Sequence, residues 1–417
     1  MASHPFIDLL ADRKIRYLWI GECLSALGNQ LSGMALIWLA VGLAGSGAAL
    51  LTTVSNAVLL AVSLLSGAFV DRYRPKTVMI ATDIVSAFFA VLPLLLAVFF
   101  PISLVSLVLS IVGLSACSAL FQPALQSSVP SLAVTTGRIQ GLNGLLDATY
   151  RLSRLGGPFL AGILSLFLPT LHFLTANALS FLVSAAAIAQ LNLPAEAPQP
   201  KRDSHSIWAR LLLGVHATAE HGEIRRMLLA NTLILMAWMP GLILGMPLLV
   251  AETGLTGLGL GGLSAVAALM GAYGAGDFLS NVLVSAHKPK RTGLFMFGGY
   301  ILLGTMLAAV PLLMWTVPGT ARLPAMMAAA LLAGAGGPMF FLPMMTYVQT
   351  HIEPARLASV FRLRFALISA AMMLGSALAQ PLFDAVGAGL VILSCGAFIA
   401  VVGIAGVLFS RDLEQPA

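Results

Sequence analysis

The sequence predicts an all-α membrane protein with twelve transmembrane helices in two pseudo-symmetric six-helix bundles. Three observations carry that reading. The chain is 59% hydrophobic and only 9% charged over 417 residues, too little polar surface to cover a soluble protein of this size. Its apolar stretches are long enough for helices at about 20 residues per span, and no barrel-like alternation of polar and apolar residues breaks them. Of the 22 Lys and Arg residues, all but Arg322 fall in or beside every second gap between those stretches. This positive-inside asymmetry makes those gaps and both termini cytoplasmic, so the number of spans is even. The net charge of +6 is therefore a topology signal and not the footprint of a nucleic-acid partner.

Taken in order, the spans are Tyr17–Leu43, Leu50–Val70, Thr77–Phe99, Ile102–Leu125, Leu142–Phe167 and Leu171–Leu191, then Met227–Val250, Leu260–Ser285, Gly293–Trp315, Leu323–Tyr347, Leu357–Leu382 and Ala385–Phe409. Met1 to Arg16 is polar, and the apolar run after it continues too far for a cleavable signal peptide. The longest polar interval divides the chain into an N-terminal bundle (1–192), a cytoplasmic linker (193–226) and a C-terminal bundle (227–417). Within that linker, Pro194–Arg202 is Pro-rich and extended. After it, Ile207, Trp208, Leu211, Leu212 and Val215 recur at helical spacing, which predicts a short helix on the cytoplasmic membrane surface. The 40 glycines and the Ala-rich spans suit helices that pack closely through small residues. Cys23, Cys117 and Cys395 lie inside spans as small packing residues, and no metal-ligand spacing exists.

The strongest local motif is G-A-F-V-D-R-Y-R-P-K, Gly67 to Lys76, between spans two and three. Gly67 admits a neighbouring helix, Asp71 sits at a helix boundary, and Arg72, Arg74 and Lys76 hold the loop against anionic lipid. The segment resembles the signature loop of the major facilitator superfamily, G-x-x-x-D-R-x-G-R-K, with Arg74 and Pro75 as departures. A second basic loop, His287–Arg291, follows span eight, as expected of duplicated halves. R-L-S-R-L-G-G-P-F-L-A-G, Arg151 to Gly162, resembles the span-five G-P-x-x-G segment of proton-exchanging exporters. Gly156, Gly157, Pro158 and Gly162 would form a bent, closely packed hinge there. Phe121–Asn143 and Val348–Arg356 resemble the branch that contains enterobactin exporters and macrolide efflux pumps. That branch usually has Gly-Arg where this chain has Ala358 and Ser359, so Arg362 and Arg364 are the basic residues left to meet Asp71 in a conformational latch.

Ionisable residues at depth are costly in hydrocarbon and are generally kept for function. Asp277 lies roughly 14 Å from the cytoplasmic end of span eight, with Asn281 one turn further on the same face. Glu22, in the cytoplasmic third of span one, shares a face with Asn29, and Gln30 follows. Asp147 is spaced to pair with Arg151 on one helix. Asp277, Glu22 and Asp147 are the proton-coupling candidates. Asn29, Gln30, Gln122, Trp238, Asn281, Tyr347 and Gln349 are the substrate-cavity candidates, although each type serves equally in helix packing. Asp83, close to the signature loop, reads as structural.

No phosphate-binding loop, nucleophile–base pair or metal cluster is present in the sequence, so no enzyme activity and no cofactor are expected. The expectation is a bacterial inner-membrane secondary transporter, monomeric and lipid-embedded, working by alternating access. It would most plainly export an amphipathic drug or siderophore against protons. Siderophore uptake, movement of a lipid-like substrate and a non-transporting receptor are the alternatives.

Overall fold

The computed structural model describes residues 5–70, 73–132, 136–191, 207–286 and 291–409. Asp71 and Arg72, with the second basic loop except Arg291, fall outside them. The described chain is helical almost throughout. In chain order the helices are α1 (Pro5–Ala11), α2 (Arg13–Ala44), α3 (Ala49–Val70), α4 (Pro75–Ala97), α5 (Leu104–Leu132), α6 (Thr136–Leu164) and α7 (His172–Ala189). Then come α8 (Ile207–Ala219), α9 (Gly222–Trp238), α10 (Gly245–Thr253), α11 (Leu263–Ala286), α12 (Thr292–Thr316), α13 (Arg322–His351) and α14 (Pro354–Phe409).

Among the described residues, nine runs are long and apolar enough to cross a membrane. Two of them, Arg13–Val62 and Ser359–Phe409, each cover two predicted spans. Predicted span five corresponds to α6, whose four charged residues (Arg138, Asp147, Arg151 and Arg154) dilute its apolar character. The protein is a multi-pass helical membrane protein. Within α14, Gly387 has φ 77°, ψ 164° and separates the last two spans. Glycine alone holds that conformation without strain, and the carboxylate of Glu252 accepts the N–H of Ala388 at 3.1 Å to start the final helix.

Three features differ from the predicted boundaries. Predicted span seven is not one regular helix: a wide turn, Met239–Leu244, joins α9 to α10, with Pro240 inside it and Gly245 directly behind. Pro240 removes a backbone donor, and a Cβ at Gly245 would lie 2.6 Å from the Pro240 carbonyl oxygen, so only glycine fits behind the turn. Next, α5 runs to Leu132 and α6 starts at Thr136, so both extend beyond the predicted apolar limits as continuous helix. Lastly, Thr256–Gly257 and Leu260–Gly261 pair as a small antiparallel hairpin before α11.

The chain divides into two compact units: Met1–Leu43 with Val54–Ser204, and Ala44–Thr53 with His205–Ala417. In the first, Leu9, Ile15, Leu18, Met79, Phe121, Leu125, Leu142 and Ile188 form a buried apolar cluster. Beside it, Lys76 donates to the carbonyls of Ala189 and Leu191, both at 2.7 Å, and so closes the C-terminal end of α7. A cation on orphan helix carbonyls satisfies both hydrogen bonding and the helix dipole. Lys76→Ala is expected to cost about 1–2 kcal/mol, and Lys76→Arg to recover most of it. A melting curve of the purified protein measures both.

In the second unit, α8 is the predicted linker helix. It seats on the start of α14 through Gly214, where a Cβ would lie 2.5 Å from the Ser359 carbonyl oxygen. Leu212, Leu213 and Val215 remain exposed on it. Glu220, just beyond α8, pairs with Arg356 at 2.9 Å, and Arg226 donates to the Phe409 carbonyl at 2.7 Å. Small residues set the closest helix crossings. Gly299 and Gly336 face each other between α12 and α13, and Gly304, Gly396 and Gly403 bring α12 against α14.

Candidate functional site

In the first unit, α2 presents Gly21, Ser25, Gly28 and Ser32 as one buried stripe. A Cβ at Gly28 would lie 2.5 Å from both Asn177 Oδ1 and Ser180 Oγ, and one at Gly21 would lie 3.1 Å from Ser184 Cα. The stripe therefore holds α2 hard against α7. Asn177 donates through Nδ2 to Ser32 Oγ at 2.6 Å and to Asn29 Oδ1 at 3.3 Å. Asn29, a cavity candidate, thus takes part in a helix–helix hydrogen bond and is itself exposed. Gln30 carries the contact that explains the span-five segment. A Cβ at Gly157 would lie 2.2 Å from Gln30 Cβ and 3.0 Å from its Cγ, while one at Gly156 would make only an ordinary contact with Leu27, at 3.6 Å. Pro158 is buried within α6, and the Gly162 carbonyl accepts from Ser165 Oγ at 2.7 Å. Gln122 is exposed on α5.

Near the start of α2, Trp19 Nε1 donates to Thr149 Oγ1 of α6 at 2.8 Å, and Cys23 Sγ reaches the same oxygen at 3.8 Å. Glu22 lies between them, its Oε1 buried and without a hydrogen-bond partner. The candidate Asp147 is on α6, but its side chain is outside the described residues, as is that of Arg151. Asp83 was not expected here. It is 2% exposed, its Oδ2 has no hydrogen-bond partner, and its carboxyl is within electrostatic reach of Glu22.

The second unit holds the remaining candidates. Asp277 is half-buried on α11, where that helix and α13 almost touch. A Cβ at Gly276 would lie 1.8 Å from the Leu331 carbonyl oxygen, and one at Gly334 would lie 2.0 Å from that of Tyr273. Gly337 stands opposite the Asp277 carboxyl, its notional Cβ 3.5 Å from Oδ1. Ser280 Oγ donates to the Ala335 carbonyl at 2.7 Å across the same crossing. Asn281, one turn beyond Asp277, is also half-buried. Trp238 Nε1 donates to Tyr273 Oη at 3.1 Å, tying α9 to α11. Tyr347 stacks on His351 with ring centroids 3.8 Å apart and packs on the Ile224–Leu228 cluster, while Gln349 is exposed near the end of α13.

Of the latch residues, Gly67 is on α3 with its surroundings undescribed, Asp71 and Arg72 are outside the described residues, and Arg362 is on α14 with its side chain undescribed. Arg74 is exposed, and its carbonyl accepts the N–H groups of Thr77 and Val78 to open α4, with Pro75 at the first helical position. Lys76 is the cap on α7 described above. Arg364 places its guanidinium over the Phe341 ring, 5.0 Å from the centroid, and its Nε has no hydrogen-bond partner. Near it, Tyr300 stacks on Phe340 at 4.0 Å and accepts from Asn231 Nδ2 at 3.0 Å. Neither Tyr300 nor Asn231 was singled out from sequence, because each is an isolated polar residue in an apolar stretch.

Helices that cross through glycine stripes and carry a few buried acids and amides make a polytopic membrane protein. The family model of the Major Facilitator Superfamily matches residues 18–321, and the chain belongs to that superfamily. It is a transporter and not an enzyme. No curated protein sequence matches it closely enough to count as a relative. Among solved structures it is similar to a POT family transporter in complex with a thioalcohol-conjugated peptide, with a TM-score of 0.70 at 14% identity, covering 95% of this chain and 96% of that one. A bacterial homologue of the iron transporter ferroportin in an inward-facing state gives 0.66 at 18% identity, with 96% and 99% covered. A nucleoside transporter gives 0.65 at 12% identity, with 98% and 100% covered.

Proposed function

We propose that this protein exports an amphipathic small molecule, a drug or a siderophore, in exchange for protons, by alternating access across a bacterial inner membrane. The observation that carries the proposal is the seating of Gly157 on Gln30. The span-five segment that resembles the proton-exchanging exporters supplies a close approach of α6 to α2. A tightly packed α2–α6 pair is what the resemblance to those exporters implies for this segment. The acids at depth, Asp277 and Glu22, supply groups able to carry a proton through the cycle. Both termini are read as cytoplasmic from the basic loops, and the functional unit as a monomer in lipid.

The structural neighbours named for peptides, iron and nucleosides share the fold at low identity, so the substrate reading rests on the resemblance of the motifs. In cells stripped of their own efflux systems, expression should lower accumulation of a fluorescent amphipathic dye or of a labelled siderophore, and a protonophore should abolish the effect. Raised accumulation of an iron–siderophore complex on expression would replace export by uptake.

A further inference from the structure

We propose that Glu22, Asp83 and Ser184 form a proton-binding site inside the first unit, in which the two carboxyls share one proton. The inference rests on the proton-coupled reading above and locates one site of coupling. Three observations carry it. Glu22 Oε1, Asp83 Oδ2 and Ser184 Oγ are all buried, and none of the three has a hydrogen-bond partner. Asp83 is 2% exposed and Ser184 0%. The three groups come from α2, α4 and α7 and converge. Gly21, beside Glu22, packs on Ser184, whose Oγ stands next to the Asp83 carboxyl without a well-formed hydrogen bond to it. The Glu22 and Asp83 carboxyls lie within electrostatic reach of each other.

Buried acceptors are normally satisfied, so two carboxyl oxygens left without a donor in one place point to a missing one. Two carboxylates in a low-dielectric interior cannot both stay charged without a cation, and the surrounding helices bring none among the described residues. On α2 the nearest titratable neighbour is Cys23, which is engaged with Thr149. The basic residues Arg13, Lys14 and Arg16 precede Glu22 by more than one turn. On α4, Lys76 is held by the α7 carbonyls. The element α5 contributes the Cys117 thiol, close to Asp83 and Ser86. The α7 face offers only Ser184, since its one ionisable residue, His172, is at the opposite end, and α3 has no ionisable residue. On α6, Arg154 is exposed, and the side chains of Arg138, Asp147 and Arg151 lie outside the described residues. A metal ion would need more ligands than these: no group of three or more His, Cys, Asp and Glu side chains gathers among the described residues. A single proton supplies the donor with no further ligand, joining one carboxyl to the other or to Ser184.

The test is an infrared titration of the full-length protein in lipid nanodiscs, following the carboxylic-acid C=O band as pH is raised. A coupled pair should lose that band in two steps. Glu22→Gln should remove one step and move the midpoint of the other by about one pH unit or more. Asp83→Asn should do the same. Should that variant fail to fold, Ser184→Ala serves in its place, moving a midpoint without removing a step. Asp277→Asn should leave both steps unchanged. The proposal is overturned if Glu22→Gln removes no band, or if the survivor titrates as in the wild type. A midpoint that tracks sodium or potassium concentration at fixed pH also overturns it, in favour of a metal cation. Because the readout is proton binding and not flux, an importer would still show the pair, and failure of the pair would leave export coupled through Asp277.

Discussion

Gly157→Leu is expected to abolish substrate transport and to lower the melting temperature. Even the first added carbon is obstructed, because a Cβ at Gly157 would lie 2.2 Å from Gln30 Cβ. That neighbour is the root of its side chain and cannot swing aside, so α6 must move off α2. Overpacking of this kind costs roughly 1–3 kcal/mol, and more where backbone has to shift. Gly157→Ala should show a smaller loss in the same direction. Gly156→Ala, whose nearest neighbour is the end of the Leu27 side chain at 3.6 Å, should be neutral to about 0.5 kcal/mol. Removing the obstructing carbon should restore the approach, so Gln30→Gly combined with Gly157→Ala should transport better than Gly157→Ala alone, less the cost of about 1 kcal/mol for a helical glycine. Melting curves and dye flux in proteoliposomes read the series. Wild-type flux and melting in Gly157→Leu would remove the helix contact from the mechanism.

The same position shows what was legible in the sequence and what was not. Gly157 and Gln30 were both singled out, one as a hinge residue and the other as a cavity residue. Their contact was not, because hydropathy places a helix in the membrane without setting its rotation about its own axis. The basic-loop asymmetry and the apolar run lengths carried the span pattern, since lipid imposes those features on every helix separately. Asp83 was read as structural because it follows the signature loop closely in sequence. It lies beside Ser184 of α7, about a hundred residues further on, and no local pattern encodes that approach. A polar side chain at depth can line a cavity, bridge two helices or do both: Asn29 accepts from Asn177 and is itself exposed. The wide turn in span seven had visible markers in Pro240, Gly245 and Pro247, but an uninterrupted apolar run concealed them.

Asp277→Asn is expected to reduce gradient-driven transport by about 10- to 100-fold, the range of a typical coupling free energy, while leaving the melting temperature close to that of the wild type. The structural part of this expectation comes from the crossing of α11 and α13. That crossing is set by backbone against glycine at Gly276 and Gly334, and Gly337 leaves ordinary van der Waals room opposite the carboxyl. An asparagine fits the same space and mimics the protonated acid in size, but it cannot release a proton. Substrate counterflow, which needs no gradient, should therefore survive in the variant while uphill movement fails. Loss of both activities together with a lower melting temperature would instead assign Asp277 to helix packing. Full gradient-driven transport would place coupling in the first unit, and Glu22→Gln would then become the variant that separates counterflow from uphill export.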